Sequence, residues 1–167
     1  SKYEGNMKQK IKLQVAKDFP KLSIVLCHCT GTQTWNEAES QAWRDGISAL
    51  SKYPNVVAKL GGAGSPHRGF GLADRPVPVG SEELAAMLLP WYGHVIGCFG
   101  VGRCMFESNF PADKQSFSYT VIWNAYKRVA RALNLTPDET AAVCGGTATR
   151  VYRLQHLPTH GGVHGKM

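Results

Sequence analysis

Three short apolar runs constrain this chain most. Residues 22–27, 56–60 and 103–107 each stop abruptly at polar or glycine residues, and a helix-length amphipathic segment follows each one. Runs of four to six apolar residues are too short for helices and suit strands buried on both faces. Strands alternating with helices pair in parallel through right-handed crossovers. The expected fold class is therefore α/β, with parallel strands and crossover helices. A closed eight-stranded barrel needs about 250 residues. With 167 residues, the chain reads as part of a barrel or as a small open α/β layer.

The helical segments carry their own signals. A helix is expected over residues 36–53, where Ala38, Ala42, Trp43, Ile47 and Leu50, with Trp35 just before them, recur at helical spacing, and Glu37 and Glu39 complement the dipole of the first turn. A second helix spans residues 81–99 and contains Pro90, which is expected to kink or divide it because proline removes a backbone donor. Residues 119–133 form a third. Thr136-Pro137-Asp138-Glu139 has the pattern of a capped start. Gly145-Gly146 is expected to break that helix before residues 147–154 resume it. Residues 63–80 are rich in Gly and Pro and read as a long mouth loop of the kind that binds or covers a ligand. The expected domain spans residues 1–155. Residues 156–167, rich in Gly and His, are expected to form a disordered tail.

Charge and cysteine usage narrow the partners. Net charge is +7, yet the basic residues are scattered and no helix clusters arginines, which argues against nucleic acid and leaves a small anionic substrate or a charge without functional meaning. No apolar run approaches the roughly 20 residues of a membrane span, and residues 1–12 lack a signal-peptide core. Cys27, Cys29, Cys98, Cys104 and Cys144 form no CxxC pair and read as buried reduced thiols of a cytoplasmic protein. If the strand continued through His28, Cys27 and Cys29 would face away from it, so the three would not converge on a metal.

Several blocks in fixed order resemble the amidohydrolase-related (amidohydrolase 2) family, metal-dependent hydrolases with a TIM-like barrel. They are residues 19–26 ending at His28, residues 54–62, Gly69-Phe70-Gly71, Ser81-Glu82-Glu83-Leu84, residues 103–114 and residues 145–154. The resemblance implies the C-terminal half of such a barrel, an expectation with which the absence of an initiator Met agrees. It implies hydrolysis of a small, anionic lactone, ester or amide at the barrel mouth as part of a larger parent enzyme, using a divalent metal such as zinc. His28 falls where the family's mid-barrel histidine binds metal or polarises substrate. Asn109 stands where many members carry an Asp. The family's His-x-His pair is missing, and His156, His160 and His164 do not supply it. This chain alone is thus expected to hold no metal tightly and to be a poor hydrolase.

The candidate site residues are His28 as catalytic residue and metal ligand, Asn109 as catalytic or substrate-positioning residue, and Arg68, Arg75 and Lys114 as substrate-binding cations on mouth loops. Lys59 is a charge inside an apolar strand, and burial of an unpaired charge is costly. Strand parity puts Glu107 on the same face, so a Lys59–Glu107 ion pair is expected, with Glu107 as general base the alternative. Asp113 reads as a cap or turn residue. The other reading of the whole chain is a non-catalytic half-barrel that associates with a missing N-terminal half or with a second copy through its open sheet edges.

Overall fold

A computed structural model describes residues 2–29, 36–66 and 70–154. Helix α1 (Lys2–Asp18) leads into strand β1 (Ile24–Leu26), helix α2 (Glu37–Ser51), strand β2 (Val56–Leu60), helix α3 (Ser81–Phe99), strand β3 (Cys104–Phe106) and helix α4 (Tyr119–Ala132). Short helices α5 (Pro137–Ala141) and α6 (Thr147–Val151) close the order. The strands form one parallel sheet in the order β1-β2-β3. Ile24 pairs with Val56, and Lys59 pairs with Met105. The α/β class and the parallel pairing expected from the sequence are those observed.

Alternation along the strands separates two faces. Leu26, Val56, Ala58, Leu60, Cys104 and Phe106 enter one core with Ile47 and Leu50 of α2, Leu84, Leu88, Tyr92 and Val95 of α3, and Ile122 and Val129 of α4. Val57 and Met105 are buried too, but on the opposite face, outside that core. Lys59 shares their parity. The helices thus cover one side of the sheet, and the Lys59 side looks toward the space that a barrel encloses.

The strands are shorter than expected. Leu22 is exposed, and Arg103 belongs to a 3₁₀ turn, Val101–Arg103. That arginine donates to the carbonyls of Tyr53 (2.9 Å), Ser51 (2.8 Å), Val56 (3.4 Å) and Phe99 (3.2 Å). It satisfies the last carbonyls of α2 and α3, Ser51 and Phe99, which lack intrahelical partners. Asn55 does the same for the first connection, with Nδ2 within reach of the carbonyls of Ala16, Phe19 and Leu22. Helix α1 was not expected, because its sequence is polar and basic. Its C-terminal part is nevertheless held by Asn55 and by burial of Ala16.

Two expectations about breakers are corrected. Pro90 does not divide α3, which runs unbroken from Ser81 to Phe99. Pro90 and Ala86, whose carbonyl loses its donor, both face solvent, so water can replace the lost bond while buried residues on either side hold the helix on the sheet. Gly145-Gly146 does not end the helix. The chain widens there into a π turn, Ala142–Gly146, and passes straight into α6, which stops at Val151 rather than Leu154. The capped start at Thr136 is as read: Thr136 Oγ1 accepts from Glu139 N, and Thr136 N donates to Glu139 Oε2. Asn36 and Glu39 make the same reciprocal pair at the start of α2. The long loop is tucked inward at Ala63, Phe70, Leu72 and Val79, all buried. The expected tail, residues 156–167, lies outside the described residues.

Candidate functional site at the strand ends

The chemistry collects at the C-terminal ends of the three strands, where barrel folds place their sites. Lys59 Nζ lies 2.8 Å from Glu107 Oε2, and His28 Nδ1 lies 3.4 Å from Glu107 Oε1. The Lys59–Glu107 pair is thus the one expected from strand parity, and His28 joins it. Burial pulls the Lys59 ammonium down, but the Glu107 carboxylate outweighs this and holds it above its ordinary range. His28 Nδ1 makes no hydrogen bond to Glu107, so that contact is looser than the 2.8 Å ion pair of Lys59.

Glu107 is fixed at its backbone. Its N–H donates to Leu60 O at 3.1 Å, and its carbonyl accepts from the Tyr126 hydroxyl at 2.6 Å. The Tyr126 ring stacks on Phe106 at 4.4 Å between centroids. His28 follows the end of β1, so alternation no longer governs its neighbours: Cys27 is exposed and Cys29 buried, rather than facing together. None of the five cysteines is in a disulfide. Burial pushes the Cys104 thiol well up, as the structural-thiol reading requires, whereas Cys98 and Cys144 are only half-buried.

Asn109 lies past the end of β3, not on it. Its φ of 54° is left-handed, a conformation asparagine tolerates better than most residues. Its Nδ2 donates to Asp113 Oδ1 at 2.7 Å, and Asp113 Oδ2 accepts from Gly64 N at 3.0 Å. Asp113 is 1% exposed. Burial raises its carboxyl above the usual range, against the Gly64 and Asn109 bonds and the nearby His28, which lower it. Ser116 Oγ donates to Gly64 O at 2.6 Å, so the turn carrying Asp113 is fastened to the loop after β2 at two points.

That loop must be glycine-rich because its backbone touches the site. A Cβ on Gly61 would fall 2.7 Å from the Glu107 carbonyl oxygen, one on Gly62 2.7 Å from His28 Cγ, and one on Gly64 2.7 Å from Asp113 Cβ. Gly62 also has a φ of 76°. Sequence reasoning took Asp113 for a turn residue and the glycines for a strand terminator. The readable signal was three glycines within four positions directly after a strand, which marks close backbone approach.

Of the expected cations, the two that are described do not join this cluster. Arg75 is engaged by Glu83, at 2.8 and 3.3 Å. Lys114 is exposed on the 3₁₀ turn Ala112–Gln115, and Arg68 lies outside the described residues. Among the described residues no group of three His, Cys, Asp or Glu is placed to hold a metal ion. The donors present therefore do not by themselves fit a zinc site, which takes three or four protein ligands.

Comparison with known proteins agrees with this architecture. The amidohydrolase family model matches residues 11–154, and the chain belongs to that family. The uncharacterized protein y4mH of Sinorhizobium fredii is 34% identical over 142 residues, covering 85% of this chain and 42% of its own length. An L-fucono-1,5-lactonase of Burkholderia ambifaria is 27% identical over 144 residues, covering 85% of this chain and 45% of its own. Two crystal structures of an amidohydrolase from Burkholderia multivorans, one with bound HEPES and one with bound zinc, superpose with TM-scores of 0.66 and 0.65 at 22% identity. Each match covers 84% of this chain and 50% of the other. The chain thus spans about half the length of the relatives it matches, and its fold is that of part of a TIM-barrel-type amidohydrolase. Among the described residues no helix is long and apolar enough to cross a membrane.

Proposed function

We propose that this chain carries the His28–Glu107–Lys59 part of a hydrolase site at a barrel mouth, acting on a small, anionic, cyclic or acyl ester such as a sugar lactone. The observation that carries the reading is the convergence of these three side chains from three consecutive strands. Lys59 lies against one oxygen of Glu107. The carboxylate facing Nδ1 favours the tautomer with its proton there and leaves a lone pair on Nε2. In hydrolysis Nε2 accepts a proton from water as the water oxygen attacks the acyl carbon, and Glu107 stabilises the imidazolium that forms. The same proton then passes to the departing alkoxide as the ester bond breaks. Glu107 acts as a positioning residue, because Lys59 already occupies its other oxygen. A divalent metal, as in the zinc-bound relative, would need ligands beyond the described residues, and no step here is routed through it.

The lactonase relative makes L-fucono-1,5-lactone the first substrate to try. The chain should be assayed alone and after co-expression with the part of y4mH that lies outside the match. We expect the complemented chain to open the lactone at least about 100-fold faster than the chain alone, and His28→Ala to remove that gain. Equal rates for His28→Ala and the parent would overturn the reading.

A second reading rests on the sheet itself. Among the described residues β1 and β3 each have a single strand neighbour, and such edges invite pairing. A half-barrel that works only by associating with a partner segment or a second copy would form a defined complex without lactone turnover.

A further inference from the structure

We propose that Asp113 sets the orientation of the Asn109 side-chain amide, so that the mouth presents the Asn109 carbonyl oxygen as an acceptor for a substrate hydroxyl. An amide can point either of its ends at a neighbour, and the hydrogen-bond network decides which. Here the neighbour is a carboxylate, which when ionised only accepts. The end of Asn109 that meets Asp113 Oδ1 at 2.7 Å is therefore its NH₂. Asp113 cannot turn to relieve this choice, because its other oxygen holds Gly64 N–H and its own N–H donates to Asn109 O. The Gly64 contact leaves no room for a side chain there. Asn109 Oδ1 then points away from Asp113, on a half-buried residue. Two titratable groups also face this pair: His28, from the end of β1, and Glu107, from the end of β3.

The pairing explains how a chain without the family's Asp at this position avoids a costly defect. A carboxylate at position 109 would meet Asp113 at the same 2.7 Å separation, and two like charges that close cannot both ionise. Asn109 and Asp113 are matched: either position can hold the carboxylate, provided the other holds the amide. An outward-facing neutral oxygen recognises a donor, and the donors of a small acyl substrate are its hydroxyls. The substrate class that follows is polyhydroxylated, and it rests on the proposed hydrolase reading.

The test begins with a double-mutant cycle. Asn109→Asp and Asp113→Asn should each lower the thermal midpoint by several degrees. The double variant restores complementarity, with the new amide at position 113 accepting from Gly64 N–H and donating to the new carboxylate at position 109, and should recover at least half of the summed loss. Additive losses would overturn the pairing. Orientation is read directly from the side-chain ¹⁵N–¹H signals of Asn109, identified by their disappearance in Asn109→Asp. One amide proton should be shifted and slow to exchange, and Asp113→Ala should abolish that protection. An Asn109 amide with two freely exchanging protons would mean the opposite orientation. For the acceptor role, L-fuconate and pentanoate are titrated onto the full chain. L-fuconate should move the Asn109 signals with at least about tenfold lower half-saturation, and Asn109→Gly, which keeps the left-handed backbone, should erase the difference in affinity. Equal responses to the two acids would overturn the acceptor role. None of these measurements needs turnover, so their failure is separable from failure of the hydrolase reading.

Discussion

The two ends of the sheet use polar side chains in opposite ways. At the N-terminal ends, Arg103 and Asn55 spend their hydrogen bonds on backbone carbonyls of neighbouring helices and loops. At the C-terminal ends, Lys59, Glu107, His28, Asn109 and Asp113 face one another, and His28 Nδ1 retains unused bonding capacity. A side chain saturated by backbone can stabilise but cannot respond to a ligand. One held by another side chain can trade that partner for a substrate. The same division separates the stability end from the active end in barrel enzymes.

The comparison can be broken in order of effect. His28→Ala should reduce lactone turnover by the complemented chain about 1,000-fold while leaving the unfolding free energy nearly unchanged. Arg103→Ala should do the reverse. It removes the side-chain donor from the Ser51 and Phe99 carbonyls at the ends of α2 and α3 and should cost about 3 kcal/mol in denaturant unfolding, with the Lys59–Glu107 pair intact by its alkaline titration. A large activity loss without destabilisation would erase the contrast. Gly62→Ala should sit between the two, losing about 2 kcal/mol to the strained left-handed backbone and also displacing the His28 ring.

The smallest effect sharpens the comparison by pH. The folded pKa of Lys59 is raised above its ordinary 10.5. Its contribution is therefore fully present below pH 10.5 and is lost as pH rises through the higher folded value. Lys59→Met should remove that alkaline component, of order 1 kcal/mol, in unfolding curves from neutral to strongly alkaline pH. An identical alkaline slope in both proteins would show that the pair contributes nothing.

What could be read from the sequence follows from how local each determinant is. The strands, the capped helices and the Lys59–Glu107 pair depend on short-range period and parity, so they were legible. His28 was singled out through family resemblance, but its contact with Glu107 was not, because β1 ends at Leu26 and alternation stops there. Asp113 does lie in a turn, as read, but its bond to Gly64, forty-nine positions away in the chain, was not legible. Helix α1 was missed because its polar sequence lacks a clear apolar stripe, and what fastens it is Asn55, beyond β1. Pro90 and Gly145-Gly146 were given too much weight as local breakers, where tertiary packing and a π turn carry the helix through.

The order of the sheet also sets where the molecule opens. Among the described residues strand β2 is hydrogen-bonded on both sides, whereas β1 and β3 are each bonded to it alone. Its amides should therefore exchange with deuterium only in the rarest fluctuations, and those of the flanking strands earlier. Lys59 rides on that slow strand, while His28, Glu107 and Asn109 follow strands that breathe more often. The ammonium is then the fixed reference of the site, and the groups around it come and go. A mass-spectrometric exchange series resolving residues 56–60 from 104–109 would display this as a difference in rate between two sides of one ion pair.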